Sequence, residues 1–419
     1  MTISHLIRVS TMSLGLMSLD GLVQAANDWP QWRGPNRDGL SAEKGLLAQW
    51  PSGGPKLLWK ATGLGGGYSS IVTSGDSVFS MGDKGKESFI VALKRADGKP
   101  LWSAKVGEAG APGWGGYAGP RCTPATDGRL VFAVNQWGEF LCVDAATGAE
   151  KWRKDYAKDF GGKRPEWGFA ESPLLDGDKV IVTPGGRQGA IVALDKKSGA
   201  TVWRSKEFTD SAQYSSLIIA EIGGVRQYIQ LTDASVAGVA ADDGRLFWRA
   251  PRKGSTAVIP TPVYHDGIVF VTSSYGVGCN AFKITASEGK FTAAQLYANK
   301  TMANHHGGVV LVGGYVYGHS EGKGWVCLDL KSGNAAWEEK GKASKGSVVY
   351  ADGHLILRAE EGKGTVWLID ATAEGFREKG RFNPPNRSEQ ASWAHPVVSD
   401  GKLWLRDQDI LLCYDLKAK

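Results

Sequence analysis

The sequence predicts an all-β fold, an eight-bladed β-propeller with four-stranded antiparallel blades. Three observations lead there. A hairpin phrase with Asp, Gly and Trp at constant offsets recurs along the chain. A strand phrase, often led by Pro and turning at Asp-Gly, precedes each hairpin. The last unit lacks one strand, and the start of the chain can supply it.

The clearest hairpin is AlaLeuAspLysLysSerGlyAlaThrValTrp, Ala193 to Trp203. An alternating apolar run ends in Asp, Gly follows four residues later, and Trp four after that. Cys142–Trp152 and Cys327–Trp337 repeat it, and Ala92–Trp102 and Gly238–Trp248 are weaker copies. Alternation marks a strand with one buried face. Asp and Ser/Thr can bond the turn backbone, and Gly supplies positive φ. A flat Trp at one repeated position suits packing between sheets, where it can bury ~150–250 Å².

The units follow in order. First-strand phrases begin near Ser69, Thr123, Ser172, Ser215, Thr261, Gly307, Gly346 and His395. Thr123–Val134, Ser172–Val182, Thr261–Val271 and His395–Leu405 carry the Pro and the Asp-Gly turn. The fifth and seventh hairpins lack the Trp, with Ala293–Ala294 and Phe376–Arg377 in its expected place, so those interfaces should pack differently. The eighth unit stops after Leu411–Leu416 without a Trp strand. Pro55–Lys60, containing Trp59, is the missing strand, and Leu57–Lys60 should pair with Leu411–Leu416. Closure of this kind removes an exposed edge.

Residues 55–419 are therefore the expected propeller, residues 26–54 an N-terminal extension and residues 1–25 a signal peptide. Arg8, the apolar Leu14–Leu19 and the ValGlnAla ending at Ala25 carry the last reading. It places the protein in the periplasm or outside the cell. No apolar run is long enough to span a membrane. The +6 formal charge is scattered without a basic stripe, so no nucleic-acid partner is expected. Five Cys without CxxC or Cys/His spacing are expected to be free and buried.

The first strand of each blade lines the channel, so residues just before these strands should converge at one mouth. They are Ser69, Arg121, Glu171, Ser215, Pro260, His305, His306, Lys345 and His395, with Tyr68, Tyr117, Trp167, Phe169, Tyr214 and Trp393 nearby. Arg121, Glu171, His305, His306, Lys345, Trp393 and His395 are the candidate ligand-binding set. Arg121 suits a carboxylate or phosphate, or equally a salt bridge to Glu171. Adjacent His305 and His306 face opposite ways on a strand, so one points into the channel. A metal would need His395 or Glu171 as well, and no metal site is expected. GlyLeuGlyGlyGlyTyr at Gly63–Tyr68 lacks the Lys-Ser/Thr of a phosphate loop. No Ser-His-Asp order or carboxylate pair is readable.

The repeated hairpin resembles the tryptophan-docking motif of quinoprotein dehydrogenases and the wider family of pyrroloquinoline-quinone-like (PQQ-like) propeller repeats. AspTrpProGlnTrpArgGlyProAsnArgAspGly, Asp28–Gly39, is similar to the opening of exported planctomycete-type members. The repeats are also similar to those of the barrel-assembly propeller lipoprotein, a scaffold. The dehydrogenase resemblance implies PQQ with Ca²⁺, held through Glu, Asn and Asp, and often an adjacent-cysteine disulfide. This chain has no adjacent Cys pair, and that ligand set has no residue-by-residue match. The expectation is an exported, non-catalytic propeller binding a protein or small molecule at the channel mouth. The alternatives are a PQQ/Ca²⁺ oxidoreductase and a hydrolase or lyase using the His/Glu/Arg ring.

Overall fold

The computed structural model describes residues 28–418, so the signal-peptide reading lies outside the described residues. Eight sheets are present, each built on four antiparallel strands; seven of these sets run in chain order, the eighth takes its outer strand from Lys56–Ala61, and one sheet gains a fifth, parallel strand at Leu40–Ser41. Their innermost strands are Val72–Ser74, Ala125–Thr126, Leu174–Asp176, Ile218–Ile222, Val263–His265, Val309–Val312, Gly346–Ala351 and Val397–Ser399. They define blades 1 to 8. Helix among the described residues is confined to Tyr156–Phe160, capped by Asp155. The middle strands of each blade are nearly continuous buried Val, Ile, Leu, Phe and Ala, as sheets covered on both faces require. All five cysteines are buried and unpaired.

Blade 8 closes the ring as expected. Lys56–Ala61 pairs antiparallel with Ile410–Asp415, with Lys56 opposite Asp415 and Ala61 opposite Leu411. Arg406 latches the closure from the other side. Its buried guanidinium donates to the carbonyls of Ser69 and Gly65 at the start of blade 1.

The repeated Trp does one job at most interfaces. Trp102, Trp152 and Trp203 each donate Nε1–H to a carbonyl of the next blade, at Ala145, Lys196 and Ala241. Each lies over the turn Gly of that blade. A Cβ on Gly148, Gly199 or Gly244 would come within 2.6, 2.7 or 2.3 Å of the ring it faces. Such contact is open only to Gly, which also serves the positive φ there. The ladder shifts register beside the Trp in these fourth strands, and such a bulge can re-aim a side chain. Trp248 departs from the pattern. It is buried but bonds Gln227 Oε1 within its own blade.

Two placements need correction. In blade 5 the residue opposite Ala281, where other blades hold Trp, is Tyr297 and not Ala293 or Ala294. Tyr297 bonds the Leu330 carbonyl and lies over Gly333, as a Trp would. The hairpin Gly278–Ser287 to Lys290–Asn299 is unusually long, so distance from the turn misleads. In blade 7 the position is Gly380, opposite Leu368, and not Phe376–Arg377. The space is filled from elsewhere. Trp50 of the N-terminal extension bonds the Lys379 carbonyl and packs edge-on to Phe382 at 5.4 Å.

Candidate functional site

The extension is more than a leader to blade 8. Residues 28–41 loop into the channel and touch all eight blades. Trp29 bridges Thr73 of blade 1, and the Pro30 carbonyl accepts from Thr126 of blade 2. Arg37 donates to Pro173 and Ser172 around blade 3 and to Leu217 beside blade 4. Trp32 donates to Thr261 of blade 5 and packs against His395 of blade 8 at 4.5 Å. Arg33 donates to the Val309 carbonyl of blade 6. Leu40–Ser41 runs parallel to Tyr350–Ala351 of blade 7.

Arg33 and Arg37 are both buried and both adopt positive φ, +61° and +59°. A non-glycine residue there costs roughly 1–2 kcal/mol. Their guanidinium bonds to carbonyl oxygens of the loop and the surrounding blades offset that cost. Burial pushes Arg37 down to about 9, with Glu171 and Cys122 opposing the shift. The segment thus blocks the channel and leaves a blind cavity at the mouth.

This cavity holds about 250 Å³. Trp32 and Arg33 contribute to its lining from the loop. Its walls carry Tyr68, Trp114, Tyr117, Trp167, Tyr214, Tyr275 and Trp393. Two loops bring the rim aromatics together, with Trp167 Nε1 donating to the Trp114 carbonyl. Trp393 sits amid the wall, 4.5 Å from Tyr68, 5.1 Å from Tyr117 and nearly parallel to His306 at 4.0 Å.

Of the seven candidate residues, five line the cavity: Arg121, His305, His306, Trp393 and His395. Glu171 and Lys345 do not. Glu171 is buried beneath the mouth, accepting from Tyr156 Oη at 3.3 Å and from the Thr183 amide. Its neighbours Ala170 and Ser172 face the cavity instead, because successive side chains alternate. Burial pushes Glu171 up to about 7, against its hydrogen bonds and Arg37. Arg121 has no salt bridge to it. Lys345 stands behind His305, 2.7 Å from its Nδ1 and 2.7 Å from Glu360 Oε1. Phe169 packs into the core on Tyr156 at 4.9 Å.

The charges are distributed unevenly. No Asp or Glu lines the cavity, whereas Arg33 and Arg121 do. Arg121 donates to the carbonyls of Tyr117 and Gly119, lies over the Tyr68 ring at 5.6 Å, and has no ion-pair partner among the described residues. Burial lowers its pKa, with the Tyr68, Tyr214 and Asp83 fields opposing. The histidines are kept neutral. Burial, with His306 and Lys345, pushes His305 down to about 2, and burial with Arg33 takes His395 to about 3. His306 is also pushed down by burial. Its Nδ1 lies 3.7 Å from Glu360, beyond hydrogen-bond length. The Glu360 carboxyl is held low despite its burial, by His306 and Lys345, and of the two only the Lys345 ammonium is within bonding distance, at 2.7 Å. Among the described residues, no group of three or more His, Cys, Asp or Glu could hold a metal.

Sequence reasoning missed Trp32, Arg33, Arg37, Tyr275 and Glu360. Two Trp and two Arg crowded into Asp28–Gly39, ahead of the first repeat, were the available signal.

Comparison with known proteins agrees with the architecture. The family profile described as outer membrane protein assembly factor BamB matches residues 86–339. BamB of Xanthomonas campestris is 26% identical over 217 residues, 50% of this chain and 47% of that protein. Quinohemoprotein alcohol dehydrogenase ADH IIB of Pseudomonas putida is 32% identical over 147 residues, 31% of this chain and 20% of that one. The chain spans about half the length of the BamB relatives it matches. The crystal structure of BamB from Moraxella catarrhalis superposes with a TM-score of 0.62 at 16% identity, covering 87% of this chain and 98% of that one. Quinohemoprotein alcohol dehydrogenase ADHIIG of P. putida HK5 gives 0.63 at 13%, covering 94% and 81%. At those identities the superpositions speak for the fold only. The profile match extends over more than half of the chain, and the chain belongs to the PQQ-like propeller family described as outer membrane protein assembly factor BamB.

Proposed function

We propose that this protein is an exported, non-catalytic propeller that binds a partner at its blind channel mouth. One observation carries the reading. The mouth is a preformed aromatic cavity whose histidines are held neutral and whose lining contains no carboxylate. Such a surface is equipped to bind, and it lacks a poised general acid or base. Both ring nitrogens of His305 are engaged, by Tyr275 and Lys345. That weighs against a hydrolase or lyase using the His/Glu/Arg ring. The relatives named as outer membrane protein assembly factors support a scaffold role with a protein partner, for a chain that is periplasmic or secreted. In this reading residues 1–25 are the export signal, residues 26–54 are an extension whose described part, 28–54, threads and straps the ring, and residues 55–419 are the propeller.

The dehydrogenase relative raises PQQ with Ca²⁺ as the competing reading. Ca²⁺ takes six to eight oxygen ligands, usually with carboxylates among them. The mouth offers Arg121, Arg33 and three imidazoles and no carboxylate, and Glu171 and Glu360 are buried outside the lining. These residues do not fit a calcium-held quinone. Titration of the purified chain with PQQ and Ca²⁺, followed by dye-linked alcohol and sugar oxidation, tests the choice. No turnover is expected, and tight binding with turnover would overturn the scaffold reading.

A further inference from the structure

We infer that the mouth cavity takes a small organic anion with a flat apolar body, its carboxylate held by Arg121 and Tyr275. The inference rests on the mouth-binding reading above and names the ligand class.

Charge comes first. Arg33 and Arg121 line the cavity without a facing carboxylate. Arg33, fixed in the channel loop, spends three of its five donors, on the carbonyls of Arg37, Asp38 and Val309. Arg121 spends only two of the five donors a guanidinium carries, on Tyr117 and Gly119. A half-buried guanidinium without a counter-ion is costly, and a carboxylate matches its fork.

A second donor follows from a tautomer. The Lys345 ammonium has protons and no lone pair, so at 2.7 Å it makes His305 Nδ1 the acceptor. A neutral imidazole then carries its proton on Nε2. Nε2 lies 2.8 Å from Tyr275 Oη and donates to it. Tyr275 thereby keeps its own O–H free, on a side chain that lines the cavity and is 40% exposed. Lys345 is itself fixed by Glu360, 2.7 Å away. The Glu360–Lys345–His305 chain thus turns Tyr275 into a donor.

Size and shape come from the walls. A cavity of about 250 Å³ is room for a small molecule and too little for a folded domain. Trp114, Tyr117, Trp167, Tyr214 and Trp393 surround that space with ring faces and edges, which favour a flat apolar body.

The test uses the full purified chain and three isosteric probes: 2-naphthoate, 2-naphthylmethanol and 2-naphthylmethylammonium. Binding is followed by calorimetry and by quenching of tryptophan fluorescence. The carboxylate should bind at least about tenfold tighter than the alcohol, with the ammonium weakest. Arg121→Gln should bring carboxylate and alcohol to within about twofold, with alcohol binding and the thermal midpoint retained. Arg121→Lys should keep part of the preference, and Tyr275→Phe should weaken only the carboxylate. Equal binding of all three probes would overturn the anion inference and leave the mouth-binding reading standing. Failure of every probe up to about 1 mM by a folded chain would overturn the inference and leave the mouth-binding reading to a partner of other chemistry, such as a protein segment at the rim. A carboxylate preference that survives Arg121→Gln would overturn the assignment of Arg121.

Discussion

Replacing Arg37 tests whether the N-terminal loop is part of the folded ring. Arg37 is 1% exposed and donates to four oxygens: Leu217 O, Pro173 O, Ser172 O and Gln31 Oε1. Arg37→Met retains the apolar stem and removes every donor. Three backbone acceptors are then left inside the ring, each costing roughly 1–3 kcal/mol if unpaired. Water entering the vacated space and relief of a buried cation offset part of this. A net loss of about 3 kcal/mol is expected, a fall of roughly 4 °C in the melting midpoint for a chain of this size. Arg37→Lys keeps the charge but not the planar fork, and should lose about half as much. Denaturant titration measures the loss, and limited proteolysis locates it. Cleavage between residues 28 and 55 should accelerate before the blades become sensitive. A loss below ~0.5 kcal/mol, or equal losses for Met and Lys, would refute the idea that this fork clamps the loop to blades 3 and 4.

Trp203→Ala should cost ~3–5 kcal/mol as a large core truncation, while Trp203→Phe should cost less, keeping a ring over Gly244 but losing the bond to Ala241. A loss near zero in denaturant melts would count against the docking role. Gly244→Ala should destabilise although it adds only a methyl, because Trp203 lies 2.3 Å from the new Cβ and φ is +76°; the same melts check it, and a stabilised variant would contradict the packing. Glu171, raised by burial to about 7 from the 4.5 of a free side chain, holds a proton in the folded state that the unfolded state has released between those values. Its contribution therefore falls as pH rises from 4.5 to 7, by roughly 3 kcal/mol in all. The neutral histidines act oppositely in part of that window, so the difference between wild type and Glu171→Gln is the readout: near zero at pH 4.5, with the variant more stable at pH 8. A difference that does not change with pH would refute the protonated carboxyl. Trp50→Ala should weaken blade 7 in hydrogen exchange more than blades 2 to 4, and uniform exchange would place Trp50 outside that interface.

The blades were legible because each turn repeats the same chemistry. Asp195, Ser198 and Gly199 form one such turn, as do Asp144, Thr147 and Gly148. Closure was legible because one strand was missing and one was spare. Tyr297 was not, since its place is fixed by the cross-strand partner Ala281 and not by distance from a turn. Glu171 failed for a related reason. Convergence at the mouth follows from the repeat, but the face taken by each residue depends on backbone rotation in an irregular segment. There Ser172 turned inward and Glu171 away. The channel loop belongs to no repeat, so periodicity could not place it. Its partners are scattered backbone carbonyls from Ser172 to Val309, which leave no mark in a side-chain pattern.

The closed ring also sets an order of events in time. An open solenoid can grow from any stacked pair, because each repeat needs only its neighbours. Here Lys56–Ala61 must wait for Ile410–Asp415, made ~350 residues later, and the loop that touches every blade waits with it. At ~5–20 residues per second that delay is on the order of half a minute. Throughout it, Trp29, Trp32, Trp50 and Trp59 have no completed surface to bury against. The first-made part of the ring is thus the last to be consolidated, and a holding factor would find its apolar target there.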